Sequence, residues 1–175
     1  VNCPKCGSNG IIRKNRGQEK QYQCKNKECG KYWQENPNIG AFPKVLIFDI
    51  ETAPLKGYFW GIYDQKIYPE NVIEDWYMLS WAGKWLNDDT VFGDVVTPKE
   101  SITLDDKRIV KSLWKAFDEA DIVLGHNAIG FDIPKANSRF FKYRLSPPSY
   151  YQTIDTLLAA RKAFAQTSNK LDDLC

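Results

Sequence analysis

The chain has 175 residues, 43% hydrophobic and 14% aromatic, enough for one medium domain with a core plus a smaller one, and unlike a disordered composition. No run approaches the roughly eighteen consecutive apolar residues of a membrane-spanning helix. No apolar signal-peptide core opens the chain, so no membrane partner and a cytoplasmic setting are expected. The formal charge of +2 is uneven: residues 1–44 hold nine Lys/Arg against three Glu, formally +6, and the remainder holds 15 against 19 acids, formally −4. A basic head on an acidic body suits a polyanion-binding element joined to one that takes cations.

In the head, Cys3-Pro4-Lys5-Cys6-Gly7 reads as a tight turn that aims two thiols at one point. Cys24 and Cys29 complete the spacing Cys-x2-Cys-x17-Cys-x4-Cys. Two such knuckles suit tetrahedral zinc. Ile11-Ile12-Arg13-Lys14 and Gln21-Tyr22-Gln23 read as two strands of a hairpin around Asn15-Arg16-Gly17. Two disulfides are the competing reading. The missing secretory signal weighs against them, and a head with so little core needs a staple of some kind. Cys175 stands apart as a buried or incidental thiol. Residues 1–35 are therefore expected to form a zinc ribbon with Cys3, Cys6, Cys24 and Cys29 as ligands, and the pattern resembles ribbons at the head of transposases and other DNA-handling proteins. Its basic residues, interleaved with Tyr22, Tyr32 and Trp33, suit phosphates and stacked bases. A purely structural or protein-contacting ribbon stays open. Residues 36–44, with Pro37, Asn38, Gly40 and Pro43, read as a linker.

In the body, Val45-Leu46-Ile47-Phe48 is an apolar run expected to be a buried strand. Alternation along it puts Asp49 and Glu51 on one face. Residues 76–85 and 90–96 read as the next two strands, around the turn Asn87-Asp88-Asp89. Ile109, Leu113, Ala116, Phe117 and Ala120 follow helical spacing. Ile122-Val123-Leu124 is a short strand ending in Gly125-His126-Asn127. A helix is expected after Pro134, running to about Tyr143, then a strand over 150–154 and a helix carrying Leu157, Leu158, Ala160, Arg161 and Phe164. Three strands followed by alternating helices and strands predict an α/β domain of mixed sheet.

Two carboxylates side by side repel, and a divalent cation is the usual compensation. A third carboxylate, Asp132, would complete a site for hard, oxygen-seeking ions. Asp132 also reads as a helix N-cap, Asn127 as a turn residue, Leu55 as ordinary core, and His126 as a structural hydrogen-bonding residue.

Phe48-Asp49-Ile50-Glu51-Thr52 resembles the first motif of the DEDD superfamily of 3′–5′ exonucleases. His126-Asn127-Ala128-Ile129-Gly130-Phe131-Asp132-Ile133-Pro134 resembles the second, in the form found in family B DNA polymerase proofreading domains and their free-standing phage and bacterial relatives. Asp155-Thr156-Leu157 through Lys170-Leu171-Asp172-Asp173-Leu174-Cys175 is similar to the stretch before the third motif. The resemblance covers residues 45–175 and implies an RNase H-like mixed sheet flanked by helices. It implies that Asp49, Glu51 and Asp132 hold two Mg²⁺ or Mn²⁺ ions, one activating a water and one stabilising the departing 3′-oxygen. Asn127, Leu55 and Thr52 would contact substrate. The implied partners are single-stranded DNA 3′ ends, with replication or repair proteins as further candidates, in a bacterial or phage-infected cell. The family's third motif, Tyr-x3-Asp or His-x3-Asp, supplies a fourth carboxylate and is not found here, so the domain is expected to be incomplete and weak or inactive by itself. A non-catalytic nucleic-acid-binding module and an RNase H-like endonuclease are the alternatives.

Overall fold

A computed structural model describes residues 2–3, 5–16, 19–35, 43–64 and 66–174, with 12–16, 19–21 and 32–35 described in backbone alone. Gly17, residues 36–42 of the expected linker and Cys175 lie outside the described residues. Two compact units result, Val1–Phe42 and Pro43–Cys175.

The smaller unit is a three-stranded antiparallel sheet, β1 (Gly10–Arg16), β2 (Glu19–Cys24) and β3 (Tyr32–Glu35), in that order. Asn15 and Arg16, expected in the turn, end β1 opposite Lys20 and Glu19, but the hairpin of β1 and β2 matches expectation in its pairing. The third strand does not: it extends the sheet by pairing Tyr32 with Gln23 and Trp33 with Tyr22. Tyr22 is only 4% exposed, so it is core and its ring does not face nucleic acid. The Tyr32 and Trp33 side chains lie outside the described residues.

The larger unit is built on a five-stranded mixed sheet. Along the chain come β4 (Val45–Thr52), a two-stranded arm of β5 (Lys56–Gly57) and β6 (Val72–Glu74), then β7 (Met78–Trp85) and β8 (Val91–Val95). Helices α1 (Pro98–Ile102) and α2 (Lys107–Glu119) lead to β9 (Ile122–Gly125), α3 (Asp132–Lys142), β10 (Gln152–Asp155), α4 (Thr156–Ala163) and α5 (Leu171–Leu174). The sheet order is β10-β9-β4-β7-β8. β4, β7 and β8 pair antiparallel, whereas β9 and β10 join parallel, each reached through a helical crossover. This mixed sheet flanked by helices is the α/β architecture expected of an RNase H-like domain.

Leu46, Phe48 and Ile50 of β4 enter one core with Ile109, Leu113 and Phe117 of α2. Phe117 is its hub, edge-on to Phe48 at 4.9 Å, Tyr151 at 5.4 Å and Phe140 of α3 at 5.7 Å. Helix α3 starts at Asp132, ahead of Pro134. Pro134 falls in the first turn, where a missing N–H breaks no helical bond. Short α1 escaped the periodicity reading, although Thr97 and Glu100 form a capping box at its start. Among the described residues no helix is long and apolar enough to cross a membrane.

Candidate active site

The burial of β4 alternates at its end: Phe48 and Ile50 are buried, and Asp49 and Glu51 are exposed. On one side Asp49 pairs with Ala82 and Glu51 with Ser80 of β7, both small. On the other side the pairing with β9 ends at Ile47 opposite Leu124, so β4 carries its two acids beyond the last rung. The chain order also changes direction at β4 in this sheet, and such switch points leave open crevices at strand ends.

The loop after β9 is compact. A Cβ on Gly125 would meet the Ala128 Cβ at 2.8 Å and the Phe48 carbonyl oxygen at 3.2 Å, which explains the glycine. Asn127 adopts φ 65, a left-handed conformation that asparagine tolerates well, so the turn reading holds. Its carbonyl accepts from the Gly130 N–H at 3.1 Å and the Phe131 N–H at 3.0 Å.

Asp155 secures this loop from below. Its carboxylate accepts backbone N–H groups of Asn127, Ile129 and Leu157, each at 3.0 Å, and of Leu158 at 3.3 Å. Burial pushes its carboxyl up, but these N–H donors outweigh that and hold it below the usual value. The sequence reading missed this role. An Asp directly before a helix was the available signal.

Asp132 is 3% exposed at the start of α3. Its Oδ1 accepts the Ile50 N–H at 3.2 Å, and Ile50 is the residue between Asp49 and Glu51. The N-cap reading fails here, because Phe131 takes the cap position with no side-chain bond. Burial raises the Asp132 carboxyl, the Asp49 and Asp155 charges raise it further, and the Ile50 N–H opposes them. The strand and helix therefore bring Asp132 against the backbone between Asp49 and Glu51 and within reach of the Asp49 charge, with no protein cation among the causes of the shift. Among the described residues, the four cysteines are the one set of three or more His, Cys, Asp or Glu gathered closely enough to share an ion as they stand.

Of the expected substrate contacts, Thr52 ends β4 half-buried, and Asn127 is exposed. Leu55 is 53% exposed, which corrects the ordinary-core reading. His126 lies between Thr156 Oγ1 and the Asn169 carbonyl, at 2.9 Å from each, a structural pin as expected. It borders a groove of about 510 Å³ that also takes in Asn127, Arg161 and Lys170.

In the smaller unit the ligating atoms of Cys3, Cys6, Cys24 and Cys29 all lie within 4.8 Å of one another. Cys3 Sγ is 3.8 Å from Cys29 Sγ, and Cys6 Sγ is 3.5 Å from Cys24 Sγ. A tetrahedron with metal–sulfur bonds of about 2.3 Å has edges of about 3.8 Å, so the set could hold a metal ion such as zinc. All four are free thiols, which removes the disulfide alternative. The Ser8 hydroxyl and its N–H lower the Cys6 thiol to about 6, whereas burial pushes Cys24 up to about 12. Gly7 (φ 73) and Gly30 (φ 58) turn the two knuckles in conformations disfavoured with a side chain. Lys5, Lys25, Lys27 and Lys31 are exposed around them.

No family model matches the chain, and no curated protein matches it. Among solved structures it is similar to the family B DNA polymerase from the hyperthermophilic archaeon Pyrobaculum calidifontis, with 16% sequence identity and a TM-score of 0.48. The match covers 90% of this chain and 20% of that one, so the chain spans about a fifth of the polymerase's length.

Proposed function

We propose that the larger unit is a metal-dependent 3′–5′ exonuclease domain acting on DNA, with a zinc-loaded ribbon assisting nucleic-acid binding. The observation that carries this reading is Asp132, a buried acid bonded to the backbone between two exposed acids, with its proton affinity raised by burial and by Asp49. Such an acid calls for a cation, and perturbed carboxylates of this kind cluster at functional sites. Asp49, Glu51 and Asp132 would hold Mg²⁺ or Mn²⁺, and Cys3, Cys6, Cys24 and Cys29 would hold Zn²⁺. Bound divalent ions supply an activated water and charge neutralisation at a departing 3′-oxygen. The chain's own part is positional. Asp132 is aimed by α3 and the Ile50 N–H, and Asp49 and Glu51 are presented by the end of β4. Asp155 fixes the loop that carries Asn127, which would face a substrate strand, and Thr52 and exposed Leu55 would contact a terminal nucleotide.

A second reading, a non-catalytic nucleic-acid-binding module, is favoured by one observation: among the described residues, only the four cysteines form a ready-made metal set. A time course on 5′-labelled single-stranded DNA with Mn²⁺, comparing the chain with Asp49→Ala, separates the readings. A descending ladder lost in the variant is the expected result. Internal cuts would indicate an RNase H-like endonuclease. Binding with no cleavage would leave the module reading.

A further inference from the structure

Helix α2 turns one face to the core and another to solvent. Ile109, Leu113 and Phe117 pack with Leu46, Phe48 and Ile50 of β4. Lys107, Lys111 and Lys115 are exposed at four-residue intervals, which sets them in one row on the outer face. Four residues of helix rise about 6 Å, so the row is about 12 Å long on a rigid support. Alternation along β4 turns Asp49 and Glu51 away from α2, so the sheet stands between the row and the acids.

The fold does not neutralise this row. Among the described residues none of the three lysines forms an ion pair. The acids at the ends of α2 are engaged elsewhere. Asp105 accepts the Lys107 N–H at 3.1 Å, and Asp106 is buried against Arg139. Asp118 accepts the N–H and hydroxyl of Ser149 at 2.8 and 2.9 Å, and Glu119 pairs with Lys44. Arg108 is held by Asp94 and Glu100. Lys142 of α3 extends the basic surface, because its ammonium and that of Lys107 stand 5.9 and 6.0 Å from the Tyr143 ring.

We infer that this row docks the phosphate backbone of duplex DNA, at a site separate from the acids. The inference rests on the nucleic-acid reading above and requires no cleavage. Three features select the occupant. Unpaired lysines at fixed spacing suit phosphates, which each strand of a duplex presents about every 3.4 Å along the axis. Protein interfaces centre instead on aromatic and apolar anchors and are depleted of lysine, and α2 bears no exposed large apolar side chain. A single strand would need open rings on which its bases stack. The rings beside the row, Trp114 and Tyr143, are half-buried, with Trp114 Nε1–H on the Ser146 carbonyl and the Tyr143 hydroxyl on Asp106. Contact of this kind positions a duplex without reading its sequence.

The test is lysine footprinting of the full chain: acetylation with and without a blunt DNA duplex, in Ca²⁺ to prevent cleavage, mapped by peptide mass spectrometry. Protection of Lys107, Lys111 and Lys115 by the duplex, lost at high salt, is expected. Unchanged reactivity at all three would overturn the inference. In parallel, the triple variant Lys107→Gln/Lys111→Gln/Lys115→Gln should lower the slope of log affinity against log salt by about 2–3 and weaken duplex binding about tenfold at low salt. Lys107→Arg/Lys111→Arg/Lys115→Arg should keep both, and a triple Gln variant that binds like the parent would also overturn it. Protection that appears on concentrating the chain without DNA would mean that the row meets a second copy, which overturns it too. The nuclease reading fails separately. Protection in a chain that never shortens DNA would keep the row and remove the exonuclease, and a digestion ladder without protection would do the reverse.

Discussion

Asp106 and Asp132 are both buried carboxylates, 0% and 3% exposed, and the fold treats them in opposite ways. Asp106 is fully compensated. Its Oδ1 takes hydrogen bonds from the buried Arg139 guanidinium and from the Tyr143 hydroxyl at 2.5 Å, and its Oδ2 takes the Met78 N–H at 2.7 Å. Arg139 in turn donates to the Trp76 carbonyl at 3.2 Å and lies over the Trp76 ring. Asp132 accepts one backbone N–H and faces the charges of Asp49 and Asp155. Burial alone therefore does not distinguish a structural acid from a functional one. The difference lies in what the protein supplies against the charge: a guanidinium for Asp106, four backbone N–H groups for Asp155, and almost nothing for Asp132.

The largest effect is expected at Asp106. Asp106→Ala leaves Arg139 buried without its partner and should cost about 3–5 kcal/mol of stability, read as a loss in urea midpoint. Asp132→Asn should not destabilise the fold and should remove activity instead. Turnover on single-stranded DNA with Mn²⁺ is expected to fall by about 10²–10³-fold, and a variant as active as the parent would end the claim that Asp132 serves the chemistry.

A finer test uses pH in metal-free protein. The Asp132 carboxyl is raised in the folded state by burial and by Asp49, so the native protein holds that proton more tightly than the unfolded chain. Its contribution is present at acid pH, below the ordinary carboxyl range, and fades as pH rises through the raised value. Thermal unfolding between about pH 4 and pH 7 should therefore favour Asp132→Asn progressively over the parent, and Mg²⁺ should narrow the gap. Parallel profiles would mean that Asp132 is compensated after all.

The smallest effect belongs to charge pairs in solvent. Lys44 and Glu119 meet at 2.9 Å with both side chains more than half exposed. Glu119→Gln should change stability by no more than about 1 kcal/mol, which chemical denaturation can bound.

Much of the architecture was legible without the fold. The apolar run at 45–48 marked a strand, and side-chain alternation along a strand put Asp49 and Glu51 on one face. The spacing of Ile109, Leu113, Ala116 and Phe117 could suit only one face of a helix. The cysteine spacing predicted four thiols gathered at one point, as they are. Elements without such periodicity were missed or misjudged. β3 was hidden in a four-residue segment, α1 in a single capped turn, and the start of α3 behind a proline that the first helical turn accommodates.

Which residues share a strand face, a helix stripe or a pair of knuckles could be read from the chain, because those are consequences of backbone periodicity over a few residues. Folding in three dimensions was needed to settle which buried acid is compensated, that Tyr22 is core while Trp60 faces solvent, and that Asp155 holds the Asn127 loop. These depend on partners distant in the chain, as with the 82 residues that separate Ile50 from Asp132. The environment of a charge is set by whatever the fold packs against it, and no local pattern encodes that.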